Sequence, residues 1–344
     1  MRRPTSSLEH RPVWRPLTFA LVTLAGIAGW VALAGEGAVR YTSVVRVELP
    51  LPAVAARAAV DGALPQSAVA LGAAPLDASL TEDGPFGPLP RIGPDGRRPF
   101  FEYARPFNFE DARPKVAVML LWPGLQAELF EAALALPGPI SVQLSPYAPD
   151  LPALVERARR AGHEVLLDLP MEGADHPASD PGPHTLLAED ARGENLKRLD
   201  WLLAQAPGYI AVAGGGARFA GSDNARDVLD VLARRGLALI ELGASLARAA
   251  AAAGLPYASA PGTIDPDPSA PSIDDALAGL EAEALAGGSA LGVVQGHPVS
   301  LERLRVWAAT LEDKGLVLAP VSAVVIEQAG LARGADGWPA RRRA

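Results

Sequence analysis

From Lys115 onward the sequence alternates short, almost wholly apolar runs with longer stretches of helical period, and this alternation limits the fold more than any other feature of the chain. A strand that is apolar on both faces needs a covering layer on each side, which a parallel sheet or barrel flanked by crossover helices supplies. Seven runs fit strands: 116–121, 140–144, 164–169, 209–212, 238–242, 290–294 and 316–320. Helical stretches at 151–161, 195–205, 224–235, 273–287 and 301–314 alternate with them. The string predicts an α/β fold in the form of a seven-stranded (β/α) barrel. An open doubly wound sheet fits it too, because periodicity does not report whether the sheet edges meet.

The N-terminal third has a different character. Residues 17–35, LTFALVTLAGIAGWVALAG, run for nineteen positions without a charge, close to the ~20 residues that span a bilayer core. Arg2, Arg3, Arg11 and Arg15 precede this run against Glu9 alone, while Arg40 and Arg46 beyond it are offset by Glu36 and Glu48. The positive-inside bias puts residues 1–16 in the cytoplasm, 17–35 in the inner membrane as a single-pass anchor, and the remainder in the periplasm. Ala32-Leu33-Ala34 resembles a small-x-small cleavage site, so the competing reading removes the segment near Ala34 as a signal peptide; both readings export the domain. Residues 36–113, with runs such as LPLPAVAA and FGPLPRIGPDGRRP, read as an Ala/Pro-rich extended tether. Its aromatic end, Phe100, Phe101, Tyr103, Phe107 and Phe109, reads as a strand-like strap on the edge of the domain. The folded domain is expected over 114–328, and 329–344 as a flexible tail whose Arg341-Arg342-Arg343 are solvated.

Charge and cysteine usage exclude several functions. Lys and Arg number 31 against 39 Asp and Glu, a net charge of -8 that offers no general attraction to phosphate backbones, so no nucleic-acid partner is expected. The absence of cysteine removes disulfides, thiolate metal sites, a cysteine nucleophile and a lipidated N-terminal cysteine.

Chemistry in parallel α/β folds gathers just past the strand ends. Those positions hold Leu121-Trp122-Pro123-Gly124, then Asp168 through Glu172, the turn Gly214-Gly215-Gly216-Ala217-Arg218, Glu241-Leu242-Gly243, and Gln295-Gly296-His297-Pro298. The triple-glycine turn lacks the spacing of a nucleotide-binding loop and reads as backbone flexibility at a tight turn. Tyr147, Gly215, Gly216 and Arg218 are the expected lining of a ligand pocket. Gly221-Ser222-Asp223 reads as a helix cap. Asp265-Pro266-Asp267-Pro268 reads as solvated acids, since its prolines block the turns of a calcium loop.

Four segments, GHEVLLDLPMEG, GPHTL, a Gly-rich turn ending ARF, and VVQGHPVSLERL, resemble in order and spacing the divergent polysaccharide deacetylase family, over residues 115 to 325. The resemblance implies a distorted, NodB-like seven-stranded (β/α) barrel. It also implies a metal-dependent hydrolytic site, in which a divalent ion polarises an acetyl carbonyl and acidifies a water while a carboxylate and an imidazole move protons. The family's Asp-Asp pair falls here on Leu121 and Trp122, and the His before its LPME segment on Asp168. Its Asn-Asn-His group falls on Val212, Ala213 and Gly214, its Asp-Ser on Glu241-Leu242, and only His297 of the GHP motif is kept. Asp168, Glu172, Glu241 and His297 are thus remnant catalytic candidates, and no metal or other cofactor is expected. A second candidate cation set, Asp168, Glu172, His176 and His184, competes with ordinary loop solvation.

Together these readings describe a membrane-anchored, degenerate family member that binds an envelope glycan or an envelope protein. The alternative is an active carbohydrate esterase with a remodelled site that holds Zn or another divalent cation. A third reading is a tethered structural protein with no ligand.

Overall fold

The computed structural model describes residues 76–122 and 126–331; the readings made for 1–75, including the membrane segment at 17–35, and for 332–344 lie outside the described residues. Among the described residues no helix is long and apolar enough to cross a membrane.

Seven parallel strands form the barrel: β3 (Lys115–Trp122), β4 (Ser141–Leu144), β5 (Val165–Asp168), β6 (Ala211–Gly214), β7 (Ala238–Leu242), β8 (Tyr257–Ala260) and β9 (Ser289–Val294). They follow the order β9-β3-β4-β5-β6-β7-β8. A bridge between Thr263 and Val293, with Ile264 N donating to Val293 O at 2.8 Å, brings the chain after β8 back to β9 and nearly closes the ring. An open doubly wound sheet is thereby excluded. The strand count matches the sequence expectation but its membership does not. β8 reads Tyr-Ala-Ser-Ala, with no apolar run to announce it. The expected seventh strand is instead β10 (Val317–Ala319), which pairs only with the base of β3. It shares that edge with β4, which takes over from Met119 to Trp122, because β9 occupies the other edge from Lys115 to Leu120.

Side-chain parity separates two layers. In β3, Val116, Val118 and Leu120 face outward and pack with α8 (Ala270–Gly287) and α9 (Pro298–Ala308). Ala117 and Met119 face inward with Ala211, Ala213, Ala238, Ile240, Ala258 and Val293. The many interior alanines keep the lumen narrow, so a few larger side chains fill it. On the far side, Val165 and Leu167 of β5 and Leu239 of β7 pack beneath α3 (Leu151–Arg160), α4 (Arg192–Leu203), α6 (Asp223–Arg234) and α7 (Ala247–Ala253). Two further helices complete the outer layer, α2 (Ala127–Leu134) and the single turn α5 (Ala217–Ala220).

The segment expected to be a tether is folded from Leu76 onward. It forms a hairpin, β1 (Thr81–Gly84) and β2 (Gly87–Pro90), and a short helix, α1 (Pro99–Glu102), that opens on proline. Leu80, Phe100, Tyr103 and Phe109 are buried in the same cluster as the barrel interior, together with α10 (Val321–Gln328). The aromatic strap therefore closes the floor of the barrel, and part of it is helical. Each large side chain so buried stabilises the domain by roughly 1.5–3 kcal/mol, which overrides the Pro-rich local sequence.

Candidate functional site

Strand parity aims Glu164, Leu166 and Asp168 at the lumen, with Glu164 at the floor and Asp168 at the mouth. Asp168 accepts a hydrogen bond from Gln143 Nε2 at 2.8 Å, and the same amide donates to Ala213 O at 2.8 Å. Burial in the barrel mouth pushes the Asp168 carboxyl up to about 7, although the Gln143 amide works the other way. Gln143, absent from the sequence expectation, is the residue that orients this acid. Its signal was an amide side chain between the apolar Val142 and Leu144 of its strand.

His297 stands at the same end of the barrel, directly before α9, and is partly buried. Its imidazole makes no hydrogen bond or ion pair with the described residues. The loop that carries it is fixed from both sides by Asp265, which is fully buried and accepts from Gln295 N at 2.8 Å and Ser300 Oγ at 2.7 Å. The expectation of solvated acids in the Asp265–Pro268 segment is corrected at this residue. Asp265 ties the chain that closes the barrel to the turn around His297, while Asp267 caps the backbone at Ser269.

Glu241 and Glu172 are carboxylates with structural partners. Glu241 points outward from β7, where it accepts from Ser245 N and Leu246 N at 2.9 Å each and from the Tyr257 hydroxyl at 2.6 Å. Glu172 is buried beneath the triple-glycine turn, accepting from Ala188 N at 2.6 Å and pairing with Arg218 at 3.1 Å. Arg218 in turn bonds the exposed Glu189 at 2.8 Å, forming a charged rim.

The second cation set does not assemble. His176 lies 3.7 Å from Glu172, but the His184 ring stacks on Trp201 with centroids 3.7 Å apart, and Asp168 is inside the barrel. Tyr147, expected in a pocket, holds this loop. Its hydroxyl accepts from His184 N at 3.1 Å, and its ring presses on Gly182, where an added Cβ would meet it at 2.5 Å.

The triple-glycine turn owes its composition to close approach rather than to flexibility. None of the three glycines adopts a positive φ. A Cβ at Gly214 would stand 2.2 Å from Leu169 O, one at Gly215 2.4 Å from Leu242 O, and one at Gly216 2.6 Å from Met171 Cβ. The end of β6 is thus wedged between the continuations of β5 and β7.

A family model for divergent polysaccharide deacetylases matches residues 123–325. The chain belongs to that family. Among solved structures, that of an uncharacterized protein from Agrobacterium tumefaciens C58 is similar, with a TM-score of 0.66 and 31% sequence identity. The likeness covers 69% of this chain and 99% of that one. None of the curated proteins compared matches the sequence. Within this deacetylase-family barrel, the three positions on which the resemblance places an Asn-Asn-His group offer no metal-binding side chain. Val212 packs outward, Ala213 faces inward without a donor atom, and Gly214 has no space for a side chain. Among the described residues no three His, Asp or Glu side chains gather in a way that would hold a cation.

Proposed function

We propose that this chain is an exported, membrane-tethered member of the divergent polysaccharide deacetylase family whose barrel mouth binds an envelope glycan without hydrolysing it. The observation that carries this reading is Gly214. At the position where the family places a histidine, backbone contact with Leu169 at 2.2 Å from any added Cβ replaces the ligand. Leu121 supplies no carboxylate where the family has its first acid. A glycan remains a suitable occupant, because the mouth keeps polar groups at Asp168, Gln143 and Arg218. Anchoring through residues 17–35 places that mouth on the periplasmic side of the inner membrane.

One observation favours the rival reading, a working carbohydrate esterase with a remodelled site. A carboxyl that titrates at about 7 is matched to general acid–base work at neutral pH. The full-length protein, purified in detergent, separates the two when incubated with acetylated chitooligosaccharides and peptidoglycan fragments, with and without added Zn²⁺. Retention of the glycan with no acetate released supports the binding module. Metal-dependent acetate release that survives dialysis and is lost in Asp168→Asn establishes the esterase instead.

A further inference from the structure

A second concave site lies on the flank of the barrel, between the β1–β2 hairpin, the middle of α4 and the last turn of α6. Its volume of about 500 Å³ falls within the roughly 300–1,000 Å³ of small-molecule sites. The site lies toward the floor end of the strands, because only three residues separate the end of α6 from the start of β7.

Three arginines and two acids line it. Arg235 is committed: it donates from Nη1 to Glu82 at 2.9 Å and to Pro90 O at 3.0 Å, and from Nη2 to Asp200 at 3.4 Å. Both cavity acids are therefore held by one cation. Arg91 donates only Nε, to Ser79 O at 3.0 Å, which steadies its stem and leaves both terminal nitrogens free of partners among the described residues. Arg234 makes no hydrogen bond or ion pair with the described residues. The cavity thus carries one net positive charge and two uncommitted guanidinium groups, together with the apolar side chains of Ile92, Leu196 and Val231 in its lining. The helix dipole accounts for an arginine in the last turn of α6. It does not account for Arg91, which reaches the same cavity from the hairpin.

We propose that this cavity binds a phosphate monoester carried on a small, partly apolar body such as a sugar ring. Arg91 and Arg234 come from separate elements and present two planar forks, an arrangement that suits the several oxygens of a phosphate better than one carboxylate edge. The body of the ligand covers the apolar part of the lining.

Titration calorimetry on the full-length protein in low-salt buffer tests this with glucose 1-phosphate, inorganic phosphate, glucuronate and glucose as probes. The ester is expected to bind one per chain, inorganic phosphate more weakly because it leaves the apolar lining uncovered, and glucose not at all. Arg91→Ala and Arg234→Ala each lower affinity for the ester about tenfold, the loss of one charge-assisted hydrogen bond. Arg160→Ala, on a helix away from the cavity, changes nothing. Arg234 is exposed, so its variant keeps the fold, which an unchanged melting temperature verifies. No heat with the ester, equal affinity for inorganic phosphate, a preference for glucuronate, or wild-type affinity in both cavity variants overturns the proposal. None of these results bears on glycan retention at the mouth.

Discussion

The floor and the mouth of the barrel each contain a carboxyl from the same stretch of chain, and their surroundings differ sharply. Glu164 and Asp168 lie four residues apart, aim into the same lumen, and are both pushed above the usual carboxylate range by burial. Glu164 accepts from four donors: Ser141 Oγ at 3.2 Å, Ser322 N at 3.0 Å, Ser322 Oγ, and Arg105 N at 2.8 Å. Asp168 has one side-chain donor, Gln143. Burial alone therefore does not distinguish the two acids; the number of donors already facing each does. The saturated acid pins α10 and the strap to the floor, whereas the under-coordinated one retains lone pairs for a ligand.

The largest effect expected from this contrast is at the floor. Glu164→Ala strands the Ser322 and Arg105 amides and opens a void among close-packed side chains, at a cost of about 3–5 kcal/mol. Glu164→Gln keeps one of the two acceptor oxygens and costs less, roughly 1–3 kcal/mol. Urea unfolding of both variants measures this. A Glu164→Ala loss no larger than that of Asp168→Ala removes the distinction between the two ends.

Next in size is the wedge at the mouth. Gly214→Ala places a methyl group against Leu169 O and forces β5 and β6 apart, which costs at least 1–3 kcal/mol, the usual range for overpacking. Gly214→His, which restores the family's residue type, is expected to be worse and to recruit no zinc. A folded Gly214→His protein that retains one zinc per chain after dialysis shows that the turn opens easily, and the glycine then ceases to support the binding-module reading.

These two positions also mark how far the sequence was legible. The barrel was readable because strands buried on both faces show as apolar runs, and those runs survive in Val116–Leu120 and Val165–Leu167. β8 was hidden because its inward positions, Ala258 and Ala260, need small residues and carry no hydrophobic signal. The floor was hidden for another reason: Phe100, Tyr103 and Phe109 stand in a Pro-rich context, and only tertiary burial reveals their role. At the mouth, the family's motif order located Asp168 and His297, but residue type did not separate the carboxyls. Glu241 and Glu172 were indistinguishable from Asp168 until their donors came into view. Gly214 gave the same signal as any turn glycine, since close approach of a neighbouring carbonyl leaves no trace in local sequence.

A smaller and pH-dependent effect is expected at Asp168. The folded-state value of about 7 lies above the unfolded value near 4, so the native state favours the protonated form. The stability this confers is intact at pH 4 and is lost as pH rises through about 7. Asp168→Asn keeps an acceptor for Gln143 and never ionises. It is expected to exceed wild type by about 1–2 kcal/mol at pH 8 and to match it at pH 4. Melting curves across that interval check the sign, and an equal difference at both ends rules out desolvation as the cause.

The smallest effect belongs to His297. Its imidazole has no partner among the described residues, and the loop around it is held by Asp265 through Gln295 and Ser300. His297→Ala should leave stability within about 0.5 kcal/mol of wild type and leave glycan retention intact, whereas Asp265→Ala, which frees a buried hydroxyl and a backbone amide, should cost roughly 1–3 kcal/mol. Thermal unfolding paired with glycan pull-down distinguishes the two residues. If His297→Ala alone abolished retention while its melting curve stayed unchanged, the imidazole would be a working contact of the mouth, and the reading of it as a remnant without a role would fail.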